Sequence, residues 1–286
     1  MDCGGTCSSK CPLDKGCAVA ADCTIAAGDR AESVRCLQQV CTSTKPPATG
    51  LRYHQDFDPS RLTKDSTQCG ASDDMCLRSV GSSYPMWGLS TSGAAKVLPK
   101  ASMFTTAGAI GSGGRFDGTY CLIRPGTVLS LNGLGALTAM AWVKSTRSSA
   151  PWESAVVGAL DHYLIAVDDN PASQRFLAAL STTQVPSFAY ANASSAGQVP
   201  RAEWHHLAQV YDTAAASMTL YLDGAKIHSR TQTGTVTADP EDVLIGCQKD
   251  TKLGQFFIGT LDEVVLYSRA LTAAEVSDYA RRSKPQ

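Results

Sequence analysis

The side chains best suited to covalent chemistry in this sequence are its cysteines. The chain of 286 residues contains eleven, and seven of them lie within the first 41 residues: Cys3, Cys7, Cys11, Cys17, Cys23, Cys36 and Cys41. So short a segment cannot bury a sizeable core, so the cluster predicts a framework of disulfides made in an oxidising compartment. A zinc site is disfavoured, because paired CxxC knuckles are missing and the first histidine is His54.

The four remaining cysteines are spread thinly. Cys69 and Cys76 are separated by six residues in the polar segment QCGASDDMC, and we expect them to close that loop on itself. Cys121 and Cys247 fall in strand candidates that could lie side by side, and a bond between them would close a long loop. Because the cysteine count is odd and no apolar export signal follows Met1, we interpret the chain as a fragment of a longer precursor. A free thiol or an intermolecular bridge is the alternative.

The carboxylates are poorly placed for hydrolytic chemistry. Cleavage of a glycan requires two carboxylates that face each other across the bond. Asp168-Asp169 and Glu241-Asp242 are adjacent pairs, whose members would point to opposite faces of a strand. The other candidates are isolated: Glu153, Asp161 and Glu203. Since nucleophile elbows, phosphate-binding loops and metalloprotease helices are also missing, the sequence favours a non-catalytic protein over an enzyme.

Sugar recognition requires an exposed aromatic ring beside hydrogen-bonding groups. Trp87, in YPMWG, and Trp152, in SAPWES, fall in segments that we interpret as loops. Either ring could stack on a sugar or on a protein partner; the alternative is that it folds back over one end of the fold. Trp142 and Trp204 fall in strand candidates and are predicted to lie in the core. Asn192 begins an N-glycosylation sequon in a polar loop.

The strand candidates that must position these residues are short and are separated by turn residues at intervals of roughly 8 to 12 positions, which is typical of an all-β fold. Ala136–Lys144 is apolar on both faces and should be covered on both sides. Ser217–Leu222 alternates and runs into Asp223-Gly224, a dipeptide that favours a hairpin turn. Thr272 and Glu275 form a capping box for one helix. Further strand candidates are Leu51–Phe57, Ser154–Leu160, Tyr163–Val167, Arg175–Ser181, Glu203–Tyr211, Ala225–Arg230, Asp242–Gly246, Gln255–Ile258 and Leu261–Tyr267. These patterns predict a two-sheet antiparallel sandwich or jelly roll with one short C-terminal helix.

The composition divides the chain into three segments. Residues 1–42 form the cysteine-rich segment, residues 43–50 contain Pro-Pro and Gly and are predicted to be a stiff linker, and residues 51–286 carry the strand candidates. The net charge of −1 with 18% charged residues gives no electrostatic reason to expect a nucleic acid or an anionic membrane as partner. No apolar run approaches the roughly 18 residues needed to span a bilayer.

Residues 51–286 resemble the laminin-G-like, concanavalin A-like jelly rolls of extracellular proteins. The likeness depends on four stretches in the right order: GRFDG and CLI within 114–123, LTAMAWVK at 137–144, WHHLA to LYLDG at 204–224, and FIGTLDEVVLYSRALT at 257–272. The ExDxE strand of the glycan-cleaving members is missing. Residues 1–42 resemble the DCGGxC-type cysteine-rich repeat of extracellular proteins of bacteria and protists, in which another cysteine usually precedes DCGG.

The resemblance implies a location and a function. It implies an extracellular or cell-surface module that binds a glycan or a surface protein without catalysis. The alternative is a structural subunit of a surface filament, appendage or matrix, in contact with other subunits. The resemblance also implies one structural Ca²⁺, with Asp117 and Asp262 as candidate ligands and backbone carbonyls completing the shell. In the competing interpretation, Asp117 begins a turn and Asp262 caps one.

Overall fold

The computed structural model describes residues 34–37, 40–59, 62–63, 76–78, 85–90, 96–97, 101–124, 131, 133–150, 153–159, 162–185, 189–192, 198–237, 243–249 and 253–285. Within these ranges the strands are β1 (Val34–Leu37), β2 (Val40–Ser43), β3 (Leu51–Gln55), β4 (Leu62–Thr63), β5 (Cys76–Arg78), β6 (Pro85–Ser90), β7 (Lys96–Val97), β8 (Phe104–Thr105), β9 (Gly113–Asp117), β10 (Tyr120–Arg124), β11 (Ala136–Ser145), β12 (Glu153–Ala159), β13 (Tyr163–Asp168), β14 (Arg175–Leu180), β15 (Ala189–Asn192), β16 (His205–Asp212), β17 (Ser217–Leu222), β18 (Ala225–Thr231), β19 (Val243–Ile245), β20 (Gln248–Lys249), β21 (Leu253–Gly254) and β22 (Ile258–Tyr267). Helix α1 spans Ala273–Ser283, and a short 3₁₀ helix spans Ala101–Met103.

Most strands belong to two antiparallel sheets. Sheet I has the order β18-β17-β16-β11-β22-β9-β8, and β3 also pairs with β22. Sheet II has the order β15-β14-β13-β12-β19-β10-β6-β5-β4, and β7 also pairs with β6. The hairpins β1–β2 and β20–β21 are separate from both. This architecture confirms the predicted all-β, two-sheet antiparallel jelly-roll sandwich with one short C-terminal helix.

The central strand β11 is apolar on both faces because each face is covered by a different layer. On one face, Leu137, Ala141 and Val143 join the main core, which lies between the two sheets and includes Ile165 of sheet II. On the other face, Met140 packs in a second cluster beneath helix α1. Side chains alternate along a strand, so one strand supplies both layers.

Helix α1 covers the outer face of sheet I and begins as the sequence predicts. Thr272 is the N-cap, and its side chain accepts a hydrogen bond from the backbone N of Glu275, whose carboxylate in turn accepts from the Thr272 backbone. The helix buries Val276 and Tyr279 against the sheet. At its other end, Trp142 Nε1 donates to Ser283 Oγ at 2.9 Å, which ties β11 to the last helical turn.

Strand β22 is one continuous strand with an irregularity in its middle. The prediction of separate strands at 255–258 and 261–267 is wrong, because one strand extends from Ile258 to Tyr267. Gln255, which lies before this strand, has φ of +51°. Glu263 also has φ of +49°. Its buried carboxylate lies 2.6 Å from His54 Nε2 and accepts a hydrogen bond from Tyr279 OH at 3.0 Å. These contacts join β3, β22 and α1 at one point.

Candidate binding site

Three chain segments meet at one end of the sandwich, in a region termed here the end site. The segments are residues 145–150 after the end of β11, residues 168–175 between β13 and β14, and residues 198–204 before β16. Backbone hydrogen bonds hold them together. Ala202 N donates to Ser145 O at 2.7 Å, and Val199 N donates to Gln174 O at 2.6 Å. Loops of distant sequence position therefore form one continuous surface.

Asp169 is the buried centre of the end site, with 0% exposure. Ser145 Oγ and Ser154 Oγ donate to its two carboxylate oxygens at 2.5 and 2.6 Å. Arg147, 5% exposed, donates Nε to Ser154 Oγ at 2.8 Å, and the same nitrogen lies 3.9 Å from Asp169 Oδ2. Burial raises the pKa of Asp169, whereas the two serines, Arg147 and Arg201 act to lower it. Burial also lowers the pKa of Arg147. The two charges therefore compensate each other's loss of hydration.

The rim of the end site carries polar side chains on a constrained backbone. Arg201 is half-buried and donates Nη1 to the Arg147 carbonyl at 2.8 Å, which fixes its guanidinium beside the buried pair. Arg175 has a side chain that is 39% exposed. Gln174 and Ala202 have φ of +43° and +65°, a region that costs a residue with a Cβ about 1 kcal/mol. Strained positions of this kind are enriched at ligand sites.

The predictions for the tryptophans have mixed outcomes. Trp142 is buried in the second core layer, as expected. The prediction that Trp204 is a core residue is wrong: it lies just before the first residue of β16 and is only partly buried. Trp152 lies outside the described residues, between Ala150 and Glu153 in the sequence.

The prediction that Trp87 lies in a loop is wrong, because its backbone belongs to a strand. It lies in strand β6, opposite Ile123 of β10. The proline that suggested a loop, Pro85, is the first residue of that strand, a position at which a missing amide donor is tolerated. The side chain of Trp87 lies outside the described residues, so its role in binding stays a prediction.

The two candidate calcium ligands do not form a common site. Asp117 pairs with Ile258 in the β9–β22 ladder, so it lies about 13 Å along β22 from Asp262. Asp117 Oδ1 accepts hydrogen bonds from Thr119 N at 2.9 Å and Thr119 Oγ1 at 2.6 Å, which forms the β9–β10 turn. Asp262 is buried and accepts from Ile110 N at 2.9 Å and Glu263 N at 2.8 Å. Each carboxylate therefore accepts hydrogen bonds from backbone amides, and calcium itself stays a prediction.

The disulfide predicted between Cys121 and Cys247 is present. Their Cα atoms are 5.5 Å apart, and 126 residues separate them in sequence. In the β1–β2 hairpin, the backbone register places Cys36 opposite Cys41. Asn192 is the last residue of strand β15 rather than part of a loop, because residues 189–192 pair with β14. The other expected disulfides stay predictions, because they involve residues outside the described ranges: Cys3, Cys7, Cys11, Cys17, Cys23, Cys69 and Cys76. The side chains of Cys36 and Cys41 also lie outside the described part of the structure.

The adjacent carboxylates Asp168 and Asp169 are both engaged in structural contacts. Asp168 accepts a hydrogen bond from Ser173 Oγ at 2.5 Å and pairs with Arg175 at 3.6 Å, whereas its neighbour Asp169 points into the core. The opposite orientations are those expected of adjacent residues on a strand. In the described part of the chain, no group of three or more His, Cys, Asp or Glu side chains could hold a metal ion.

A small apolar pocket lies at the β8–β10 side of the sandwich. It is lined by Phe57, Met103, Phe104, Gly114, Phe116, Tyr120 and Leu122. A sugar needs hydrogen-bonding groups that fix its hydroxyls, and this lining offers almost none. The end site has them, so it is the better candidate for a polar ligand.

Sequence reasoning did not find the end site because its members are isolated in sequence. Ser145, Arg147, Ser154, Asp169 and Arg201 show no motif spacing. One signal was available: Asp168 and Asp169 are adjacent at the end of the apolar strand Tyr163–Asp168, so one of the two carboxylates must face inward. A buried carboxylate requires a partner, and that requirement would have directed attention to nearby arginines.

Comparison with known families identifies the fold. Residues 116–277 match the profile of the Laminin_G_3 family, described as the Concanavalin A-like lectin/glucanases superfamily. The match spans more than half of the chain, which therefore belongs to this family, as the four sequence stretches indicated. The cysteine-rich repeat lies outside the matched residues and stays a prediction. No curated protein sequence matches the chain.

Two solved structures show the same fold. Domain 4 of AbnA, a GH43 extracellular arabinanase from Geobacillus stearothermophilus in complex with arabinotriose, superposes with a TM-score of 0.58 and 19% identity, covering 80% of this chain and 98% of that one. The binding domain of Paraclostridial Mosquitocidal Protein 1 gives a TM-score of 0.53 and 14% identity, covering 81% of this chain and 52% of that one. This chain thus spans about half of the second structure.

Within the described ranges, no helix is long and apolar enough to cross a membrane.

Proposed function

We propose that this chain is an extracellular, non-catalytic module that binds carbohydrate through the end site. The observation that carries the proposal is the convergence of three loops on the buried pair Arg147 and Asp169, with Arg201 held at the rim. Ligand sites combine a few fixed polar groups with an accessible surface. Because the buried pair already fixes the rim, a ligand would lose little free energy in ordering it.

The family and one structural neighbour support a carbohydrate as the ligand. The family description names lectins, and the arabinanase domain that shares this fold was solved with arabinotriose bound. The disulfide between Cys121 and Cys247 supports an extracellular location, because such bonds persist in oxidising compartments. The burial of Asp169 supports a non-catalytic role, since a carboxylate held by two serines and an arginine is not accessible to a substrate.

A glycan array followed by calorimetric titration tests the proposal. We expect the protein to bind a defined subset of oligosaccharides, and Arg201→Ala to raise the dissociation constant at least about tenfold, a loss of about 1.4 kcal/mol. Arg115→Ala is the matched control, because Arg115 is an exposed arginine on β9, outside the end site. Failure to bind any glycan, or equal affinities of the two variants, would contradict the proposal.

The two tryptophans singled out by the sequence can be separated in the same titration. Trp152 lies just before Glu153 and Ser154, and Ser154 contacts Asp169 in the end site. Trp87 lies in β6 of sheet II. We expect Trp152→Ala to weaken binding and Trp87→Ala to leave it unchanged. The reverse result would move the binding site to the β6 side of the sandwich.

The cysteine count supports a second candidate, a structural subunit of a surface assembly. With eleven cysteines, at least one cannot pair within the chain, and an intermolecular disulfide would use it. Such a subunit would run as a covalent oligomer on a non-reducing gel and as a monomer after reduction. A strictly monomeric particle under oxidising conditions would exclude this form of assembly.

A further inference from the structure

Residues 43–50, termed here the strap, pack against the sandwich although their composition predicts a linker. Thr44 is 2% exposed and Pro46 is buried. A linker that separates two domains leaves its side chains in solvent and contributes few contacts. The strap instead follows helix α1 from its last turn to the residues just before its first turn, and an arginine holds it at each end.

The first of these arginines is Arg282, in the last turn of α1. Its Nη1 donates to the Ser43 carbonyl and also to the Lys45 carbonyl at 3.2 Å. The guanidinium is itself held in place, because Nε pairs with Asp278 at 2.6 Å and the group lies 5.9 Å from the centre of the Tyr279 ring. A planar guanidinium with several donors suits this task, since the N–H groups on one edge can bind a carboxylate while those on another edge bind carbonyls.

The second arginine is Arg269, which precedes the helix. Its Nε donates to the Thr49 carbonyl at 2.7 Å, and its other two nitrogens pair with the Glu275 carboxylate at 2.6 and 2.9 Å. Next to it, Ser268 N donates to the Gly50 carbonyl at 3.0 Å. Each end of the strap is thus bound by an arginine that a carboxylate of α1 positions.

The N-terminal end of the strap is continuous with the β1–β2 hairpin. Ser43, whose carbonyl receives Arg282, is the last residue of β2 and pairs with Val34, the first residue of β1. A constraint on Ser43 is therefore a constraint on the base of the hairpin. The hairpin contains two of the seven cysteines of the N-terminal segment, Cys36 and Cys41.

We propose that the strap is a two-point clamp, which uses Arg282 and Arg269 to hold the base of the cysteine-rich segment in a fixed orientation on helix α1. The β1–β2 hairpin and the jelly roll then move as one body at this junction. The inference is independent of the ligand proposed for the end site, and it gives the predicted stiff linker defined contacts with the jelly roll.

Amide exchange and residual dipolar couplings, measured by NMR on the full chain, test the clamp. In the wild-type protein, the couplings of amides 40–45 should fit the same alignment tensor as those of β11. In Arg282→Ala, we expect those couplings to shrink and exchange at Thr44 and Lys45 to accelerate at least tenfold, while the amides of β11 keep their protection. Wild-type couplings that do not share the tensor of β11 would overturn the proposal.

Arg281→Ala is the matched control. Arg281 neighbours Arg282 and also pairs with Asp278, at 2.7 Å, but its side chain is 56% exposed, and none of its contacts within the described residues is with the strap. Its replacement should leave the couplings and the exchange rates unchanged. If Arg282→Ala does not fold, Arg282→Lys keeps the charge and loses the forked geometry, and it should show a smaller acceleration of the same amides. No difference between the Arg282 and Arg281 variants would overturn the clamp.

Discussion

The ring of His206 packs edge-on against the ring of Tyr279, with 5.6 Å between the centroids, in the layer between sheet I and helix α1. The ring of Trp142 lies on another side at 5.3 Å. In the described part of the chain, neither imidazole nitrogen has a hydrogen-bond partner, and the side chain is fully buried. Burial therefore lowers the pKa of His206 to about 4, although the charge of Asp223 acts in the opposite direction.

This burial predicts a loss of stability in mild acid. The unfolded chain takes up a proton at His206 near its ordinary pKa of 6.5, whereas the folded chain does so only near 4. The neutral, buried His206 therefore contributes its full stability at pH values above its pKa in the unfolded chain. We expect about 3 kcal/mol of unfolding free energy to be lost as the pH falls from 6.5 to 4. Urea denaturation at a series of pH values measures this slope.

His206→Phe supplies the comparison for that slope, because it keeps an aromatic ring and cannot titrate. We expect the variant to lack most of the decline between pH 6.5 and 4. His228→Phe, at a half-exposed position on the edge strand β18, should retain it. Carboxylates contribute to both profiles, so the difference between the proteins isolates the histidine. Parallel wild-type and His206→Phe profiles would show that another group titrates.

The buried pair in the end site predicts strong energetic coupling. Asp169→Ala leaves the guanidinium of Arg147 buried without its counter-charge and should cost about 3 to 5 kcal/mol of unfolding free energy. The double variant with Arg147→Met should lose much less than the sum of the single variants. Asp168→Ala is the control, since its partly exposed pair with Arg175 should contribute about 1 kcal/mol or less. Additive losses in chemical denaturation would show that the pair is not coupled.

The disulfide between Cys121 and Cys247 should contribute strongly, because it closes a long loop. The bonded residues are 126 positions apart, and in the chain-entropy model a loop of this size is worth about 4 to 5 kcal/mol. We expect Cys121→Ala with Cys247→Ala to lower the unfolding free energy by about this amount in oxidised protein. A change below about 1 kcal/mol would mean that the unfolded chain is already compact.

Gly259 should not tolerate a side chain. It has φ of +145°, and a Cβ at this position would lie 2.2 Å from the Lys144 carbonyl oxygen of the neighbouring strand. Gly259→Ala should therefore cost about 3 kcal/mol or more and lower the melting temperature markedly. Gly254→Ala is the control, because a Cβ there meets no atom within 4 Å. Equal melting temperatures of the two variants would contradict the role of Gly259.

Local patterns predicted the fold well where one residue type determines a local geometry. The capping box of Thr272 and Glu275 forms because both partners lie within one helical turn. Asp223 and Gly224 have φ of +51° and +82°, the values that their turn requires. The double-sided apolar character of β11 also indicated a covering layer on each face.

The end site could not be predicted because its geometry depends on contacts between distant segments. Asp169 meets Ser145 and Arg147 only after β11 and β13 have packed face to face. Trp204 is similar, since its half-exposure follows from where β16 begins and not from its own residue type. Periodicity describes which face a residue occupies, but not which loop from another strand will cover it.

The strap also determines how this fold can be joined to other chains. Arg282, in the last turn of helix α1, touches the Ser43 carbonyl, so the end of strand β2 and the last turn of the helix lie on the same side of the jelly roll. A host protein could accept the whole unit as an insertion in a surface loop, because the two junctions need not be spread apart. Pulling on the two junctions would load the strap–helix bonds first and leave the sheets unstretched.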